Sequence, residues 1–407
     1  MITKARRICP CLAMAALLSG STALADQASP HYFAAKPGSL TKAKSRLAAG
    51  DNELGRALKT LLAEADEALR ETPPSVTEKS KAPPTGDKHD YMSFAPYYWP
   101  NPKTKNGLPY VRHDGKVNPE SRDLQSNDGP RIKLMGSSIG TLALAYYFTG
   151  NEAFAAHAAK FARVWFILPA TRMNPHFRYA QAVPGENDGR GTGIIEARAI
   201  AEAADALGLL AGSRSWTAED QRALDAWLET FLNWLLTSKP GQDEHAAKNN
   251  HGTIFDVQTA RLALCLGQTD LARRILEEAR QRRIAVQIEP DGRQPLELAR
   301  TASFGYSRLN LEALTDLATL GEHAGVDLWH STTPDGRSIR RALEFMLPYL
   351  EKPTMKWPFE QIKDRHDADF LPILRAASLA YATRDYERII AQHSEAPSKR
   401  FQLLFAQ

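Results

Sequence analysis

Cysteine is scarce in this chain of 407 residues, and so are long apolar runs and any large excess of one charge. Cys9 and Cys11 lie near the amino terminus, and Cys265 has no second cysteine beside it in the rest of the chain, so a disulfide framework is excluded there. No run reaches the about 20 apolar residues that a membrane span needs. Phosphate-binding glycine patterns and the HExxH zinc motif are also absent, and the sequence predicts no metal and no cofactor.

The charge balance argues against nucleic acid as a partner. Lys and Arg total 51 against 47 Asp and Glu, a formal net charge of +4, and three of the positive charges lie within residues 1–25, which contain no acid. Without these three the net charge is +1, whereas non-specific nucleic-acid binding requires a strongly basic face. The composition, 43% hydrophobic and 24% charged, is that of a globular protein with a sizeable core.

Residues 1–25 have the pattern of a signal peptide. Lys4, Arg6 and Arg7 precede an apolar run at 11–18, and an Ala-Leu-Ala cleavage motif occupies 23–25. The sequence therefore predicts an exported protein, periplasmic or secreted, in which residues 26–407 form a single domain.

The rest of the chain has helical periodicity interrupted by short polar breaks. Turns at Gly150-Asn151 and at Gly267-Gln268 join consecutive segments so closely that their helices must run antiparallel. We therefore predict an all-α fold, an (α/α) toroid or incomplete barrel of antiparallel helical hairpins. The predicted helices are 42–70, 132–148, 152–166, 194–211, 217–236, 253–266, 269–284, 306–324, 336–350 and 368–392. Three long non-helical stretches remain, 71–130, 171–192 and 285–304, of which 71–88 is a candidate flexible segment.

Loops of this length are typical of functional sites. In the first, Tyr97, Tyr98 and Trp99 are flat, amphipathic side chains suited to stacking on a sugar ring, although packing within the loop explains them equally well. The second loop contains His176, Tyr179 and Gln181 among glycines and other polar residues, and we assign these three to substrate binding as well.

The third and fourth clusters contain the candidate catalytic residues. Asn249, Asn250 and His251 precede a predicted helix, where amide and imidazole donors can neutralise a carboxylate. Arg300 and Tyr306 follow in the fourth cluster and can approach one ligand from different directions if its last part is helical or turns, although a place on the surface explains either residue equally well. Asn249 and two acids complete the predicted substrate-binding set: Glu244, which orients the histidine or is an exposed loop acid, and Glu297.

The set of Asn250-His251 with Arg300 and Tyr306, 55 positions after the histidine, resembles the catalytic constellation of (α/α)-toroid alginate lyases such as polysaccharide lyase family 5. The wider pattern is more similar to polysaccharide lyase family 38, with its alginate and glucuronan lyases. One departure from family 5 is Gly252-Thr253-Ile254, where an aromatic residue commonly follows the histidine. The motifs that support the resemblance are YYWP at 97–100, NPHFRYAQ at 174–181, PG at 184–185 and GIIEAR at 193–198.

This resemblance implies β-elimination on a β-1,4-linked polyuronate, with mannuronate-rich alginate as the substrate and glucuronan as the close alternative. Asn250, His251 and Arg300 would stabilise the enolate-like charge that develops when the C5 proton leaves. Tyr306 would serve as base and acid for a same-face substrate, provided that nearby cations lower its pKa. For an opposite-face substrate, His251 would take the proton and Tyr306 would donate one.

Two other classes of protein remain open at this stage. An (α/α) glycoside hydrolase would use two carboxylates, with Asp128, Glu186 and Glu297 as nominees. A non-catalytic uronate-binding protein would keep the aromatic loop and would not need Tyr306.

Overall fold

The computed structural model describes residues 29–352, 354–393 and 400–406. The predicted signal peptide, 1–25, lies outside the described residues. Within them most residues are helical and the strands are few and short, which confirms the predicted all-α class. The helices are α1 Ser39–Ala48, α2 Asn52–Ala68, α3 Gly129–Thr149, α4 Glu152–Ala162, α5 Arg198–Leu207, α6 Ala218–Thr237, α7 Lys239–His245, α8 Asn250–Cys265, α9 Thr269–Ala279, α10 Ala285–Gln287, α11 Pro295–Leu298, α12 Ser303–Ala324, α13 Ile339–Glu351, α14 Leu371–Ala380, α15 Asp385–Gln392 and α16 Phe401–Leu404.

The long helices form the predicted toroid. Helix α3 packs against α5, α5 against α8, α8 against α12 and α12 against α14, and α2, α4, α9 and α13 pack outside this inner ring. Helix α8 is buried on nearly all sides, as expected for a central member of the ring. Thr253 in the first turn of α8 and Asn310 near the start of α12 both donate to the side-chain oxygen of Gln287, so the beginnings of the two helices lie at the same end of the ring.

The short turns between paired helices are confirmed. Gly150 ends α3 in the left-handed conformation, with φ of 69°, which glycine adopts at no steric cost. The side chain of Asn151 then accepts a hydrogen bond from the backbone N–H of Ala153 and caps α4. Gly267, between α8 and α9, has the same φ of 69°.

Four predicted boundaries are wrong in ways that matter for the site or the termini. The segment 42–70 contains two helices rather than one, because Gly50 and the capping Asp51 interrupt it, and 368–392 is likewise divided into α14 and α15. Residues 239–245, expected to be part of a loop, form α7, and α8 begins at Asn250 rather than near 253. Glu244 therefore lies on a helix, and Asn250 and His251 belong to the first turn of another.

Four short strands organise the long loops at this end of the ring. β1 (Met92–Phe94) pairs in parallel with β4 (Tyr179–Ala182), and β2 (Tyr98–Trp99) pairs in antiparallel register with β3 (Val111–Arg112). The first pair joins the loop 71–130 to the loop 171–192. The second pair forms a hairpin, which we call the aromatic hairpin (residues 97–114).

A buried ion pair holds the base of these loops. Lys79 Nζ lies 2.8 Å from Asp128 Oδ2, and both side chains are completely buried. Asp128 also accepts a hydrogen bond from the backbone N–H of Met92 in β1. Asp128 therefore anchors a strand and is not accessible to a glycosidic bond. Among the described residues, no helix has both the length and the apolar character that a membrane crossing needs.

Candidate active site

The first turn of α8 is capped by an acid from another part of the chain. Glu297, at the end of the loop 285–304, accepts a hydrogen bond from the backbone N–H of Asn250 (2.6 Å) and another from its side-chain amide (2.7 Å). The side chain of Asn249, the residue before the helix, makes no capping bond. Both Asn250 and Glu297 are 1% exposed. Glu297 thus satisfies donors at the helix N-terminus and holds the Asn250 amide in one orientation.

Burial raises the pKa of Glu297, although the hydrogen bonds from Asn250 and the charges of Arg300 and His251 oppose the rise. The arginine and the histidine are therefore both close enough to influence this carboxyl group. Two segments that are distant in sequence, Asn250-His251 and 297–300, meet at this point.

His251 is paired with Glu244. Its Nδ1 lies 2.6 Å from Glu244 Oε1, and the glutamate is 1% exposed whereas the histidine side chain is 20% exposed. A carboxylate at Nδ1 favours the tautomer with its proton on that nitrogen and leaves Nε2 free. Glu244 therefore orients the histidine, one of the two roles that its sequence position allows.

The position directly after the histidine, Gly252, has no space for a side chain. A Cβ atom there would lie 2.1 Å from the carbonyl oxygen of Ala247 and 2.5 Å from Nη1 of Arg283. Arg283 is itself buried, forms an ion pair with Asp256 and donates to the carbonyls of His245 and Ala247. The connection from α7 to α8 is consequently folded tightly over this arginine, and only glycine fits beneath it.

Arg300 and Tyr306 form the other half of the site. Nη2 of Arg300 donates to the Tyr306 hydroxyl at 2.7 Å, and the guanidinium carbon lies 3.7 Å from the centre of the phenol ring. The Tyr306 hydroxyl in turn donates to the hydroxyl of Tyr97 at 2.7 Å. Asp114, at the far end of the aromatic hairpin, accepts from Nε and Nη2 of Arg300. Two residues of the hairpin therefore contact the two catalytic candidates directly.

The condition that nearby cations lower the pKa of Tyr306 is not met. Burial raises the pKa of this phenol, the hydrogen bond to Tyr97 raises it further, and the nearby Arg300 only partly opposes them. Arg300 lowers the pKa of Tyr306 only in part because the charge of Asp114 neutralises it. Burial opposes ionisation of Asp114, but hydrogen bonds from Arg300 and Thr301 lower the pKa of this carboxyl group well below the usual range. Tyr306 is therefore protonated at neutral pH.

A third cluster surrounds Gln181. Its side-chain amide donates to Glu196, and its side-chain oxygen accepts from Arg190. Nη1 of Arg190 reaches the Tyr98 hydroxyl at 3.4 Å, and the guanidinium carbon lies 5.0 Å from the centre of the Tyr98 ring. Gln181 is only 8% exposed and has a φ of 48°, a strained value for a residue with a side chain. Its polar groups thus position neighbouring side chains.

Three other predicted substrate-binding residues contact neither catalytic pair in the structure. Trp99 donates its ring N–H to the carbonyl of Lys116. His176 Nε2 lies 3.0 Å from Asp90, and burial lowers the pKa of the ring. Tyr179 is buried in β4, with its ring beside that of His176.

Sequence reasoning missed Asp114, Arg190 and Glu196. Asp114 precedes Gly115, a pair that indicates a turn and conceals the ionic contact with Arg300. Arg190 lies between Gly189 and Gly191. These two glycines were the local signal that the backbone on either side of the arginine packs closely against other segments. Glu196 lies in the motif GIIEAR, but nothing local shows that it accepts hydrogen bonds from Tyr91 and Ser93.

Comparison with known proteins finds relatives of this chain in both sequence and fold. The sequence profile of the family described as Alginate lyase matches residues 75–356. An alginate lyase from Bacteroides ovatus is 41% identical, with a TM-score of 0.88 over 93% of this chain and 100% of its own. Alginate lyase A1-III from Sphingomonas species A1 is 19% identical, with a TM-score of 0.58 over 94% of this chain and 98% of its own.

A histidine variant of A1-III complexed with a tetrasaccharide is 17% identical, with a TM-score of 0.60 and the same coverage of the two chains. At these identities the A1-III structures support the fold alone. A comparison with curated proteins found no match.

Proposed function

The chain belongs to the alginate lyase family and is a polysaccharide lyase, and from this premise we propose that it cleaves mannuronate-rich alginate by β-elimination. The products would have a C4=C5 double bond in the new terminal uronate. The observation that supports this proposal is the direct hydrogen bond between Arg300 and Tyr306 at the end of the ring where Asn250 and His251 begin α8.

The first step requires neutralisation of the substrate carboxylate, because the C5 proton is only weakly acidic until the charge on that group is stabilised. In this proposal His251, which Glu244 holds through Nδ1, binds that carboxylate through Nε2. The helix N-terminus at Asn250 adds positive potential at the same place. Glu297 keeps the amide of Asn250 fixed while the substrate binds.

The second step is proton transfer at C5. In mannuronate the proton and the departing oxygen lie on the same face, so that one group can remove the first and protonate the second. We assign both roles to Tyr306, with Arg300 stabilising the phenolate. Because burial and Tyr97 raise the pKa of Tyr306, the rate should increase with pH through the alkaline range.

We further propose that the protein is exported, on the basis of the signal-peptide pattern in residues 1–25, and that it meets its polymeric substrate in the periplasm or outside the cell. Membership of polysaccharide lyase family 38 stays a prediction from the motifs.

The test is turnover of four separate polymers, polymannuronate, polyguluronate, glucuronan and hyaluronan, followed by the ultraviolet absorbance of the unsaturated product. We expect polymannuronate to be cleaved fastest. Replacement of Tyr306 by Phe should lower the rate by about a thousandfold while the variant still binds a mannuronate oligosaccharide.

If glucuronan is cleaved fastest, glucuronan and not mannuronate-rich alginate is the substrate. Absence of product from all four polymers would contradict the proposal. Saturated products would instead indicate hydrolysis.

A further inference from the structure

The basic side chains around the proposed reaction centre are paired with acids among the described residues, and Arg190 is the exception. Arg300 is paired with Asp114, His251 with Glu244, and Asn250 is bound to Glu297. Arg190 has hydrogen bonds but no ion-pair partner among the described residues. Its acceptors are the backbone oxygen and the side-chain oxygen of Gln181 and the hydroxyl of Tyr98, all of which are neutral.

The positive charge of Arg190 acts to lower the pKa of the buried acid Glu196, but the two side chains share no hydrogen bond. The oxygens of Glu196 instead accept hydrogen bonds from Tyr91, Ser93 and Gln181. Burial nevertheless raises the pKa of Glu196. The guanidinium group therefore remains a half-buried positive charge without a direct counterion, which is costly unless a ligand supplies one.

Arg190 lies between the two halves of the site. The residue after it, Gly191, packs so closely on α7 that a Cβ atom would lie 3.4 Å from the backbone nitrogen of Glu244, the partner of His251. The guanidinium itself contacts Tyr98, whose neighbour Tyr97 is bound to Tyr306. A polymer that places one sugar between His251 and Tyr306 would therefore bring an adjacent sugar close to Arg190.

The orientation of Arg190 is fixed before any ligand arrives. A Cβ atom on Gly189 would lie 2.1 Å from the carbonyl oxygen of Arg178, so the backbone before the arginine has no freedom to move. The strained backbone of Gln181 directs both of its oxygens at the guanidinium group. A strained residue that holds an unpaired arginine is typical of a preorganised anion site.

We propose that Arg190 binds the carboxylate of the uronate adjacent to the one that loses its C5 proton, with the Tyr98 ring against that sugar. This inference rests on the proposed function, and it makes the protein selective for a charged sugar at two consecutive positions. A polymer with uronates separated by neutral sugars would be cut poorly.

The experiment compares Arg190→Gln and Arg190→Lys with wild type on mannuronate oligosaccharides. Arg178→Gln is the matched control, because Arg178 is an exposed arginine of the same loop. Loss of a charge-assisted contact should raise KM at least tenfold with kcat changed less than threefold in R190Q. R190K keeps the charge without the fork of donors and should be intermediate. R178Q should match wild type.

A second substrate isolates the contact. In partially carboxyl-reduced polymannuronate, some uronates are replaced by neutral mannose. The catalytic efficiency of wild type should therefore fall on this substrate, and that of R190Q should fall by a smaller factor. Thermal unfolding of each variant shows whether the fold is retained, and R190K provides the comparison if R190Q does not fold.

A KM for R190Q equal to that of wild type would overturn the inference, as would a fall in kcat alone. If R190Q does not fold, the same comparison is made with R190K. Failure of wild type to form any unsaturated product would instead contradict the proposed function.

Discussion

The two halves of the site are built in different ways. The half formed by Glu244, Asn250, His251 and Glu297 stands at the start of a buried helix, and three of its four side chains are almost inaccessible to water. The half formed with the aromatic hairpin joins Tyr97 and Asp114 to Tyr306 and Arg300 through partly exposed side chains. We infer that the first half is coupled to the stability of the fold, whereas the second half affects mainly the chemistry.

Among the tests of this comparison, the largest loss of stability is expected from Glu297→Ala. Its removal leaves the amide and the backbone N–H of Asn250 buried without acceptors, at a cost of about 3 kcal/mol in the free energy of unfolding. Activity should fall by about a hundredfold because Asn250 loses its orientation. Urea unfolding and product absorbance measure the two effects. Glu186→Ala, at an exposed acid, is the control, and an E297A protein of normal stability would invalidate the comparison.

Gly252→Ala tests the same half without removing a polar group. Its methyl group would collide with the carbonyl of Ala247 and with Arg283, so we expect a loss of about 2 kcal/mol in stability together with reduced activity. Gly140→Ala is the matched control, because nothing lies within 4 Å of a Cβ at that position in α3. The control should gain up to about 1 kcal/mol from helix propensity. Equal melting temperatures for the two variants would show that the connection to α8 is loose.

Asp114→Asn tests the hairpin half. The variant loses the charge that holds Arg300, so we expect about a tenfold loss of kcat from misplacement of the Arg300–Tyr306 pair. Stability should change by less than about 1 kcal/mol, since both side chains of the ion pair are partly exposed. Asp123→Asn, at an exposed acid of the same loop, should behave as wild type in steady-state kinetics. A large drop in stability for D114N would remove the distinction between the halves.

The smallest effect is a shift in the pH profile of Tyr97→Phe. The hydrogen bond from Tyr306 to Tyr97 raises the pKa of the Tyr306 phenol, and its loss should lower that pKa. Because the base acts when deprotonated, the rising limb of kcat should move to lower pH. Tyr110→Phe, which removes a hydroxyl bound to Glu120 instead, should leave the limb in place. An unchanged limb in Y97F would contradict the assignment of Tyr306 as the base.

Sequence reasoning could nominate site residues where the signal was local. Asn250 and His251 are adjacent, and Arg300 and Tyr306 are six positions apart near the start of a helix, so residue type and position pointed to both pairs. It did not find Asp114, which contacts Arg300 across 186 positions of chain. It also could not foresee that the pKa of Tyr306 is raised, because the burial of the phenol and its contact with Tyr97 are tertiary effects.

The amino-acid sequence by itself determined the helices, the turns at Gly150 and Gly267 and the residue types available for the chemistry, because periodicity, capping and glycine conformation are local properties. Only the tertiary structure decided which loop meets which helix. Burial of Glu297 beneath α8, the closure of the aromatic hairpin on Arg300 and the unpaired charge of Arg190 each depend on contacts between segments that are distant in the chain. Such contacts arise from the packing of the whole ring, which no short stretch of sequence specifies.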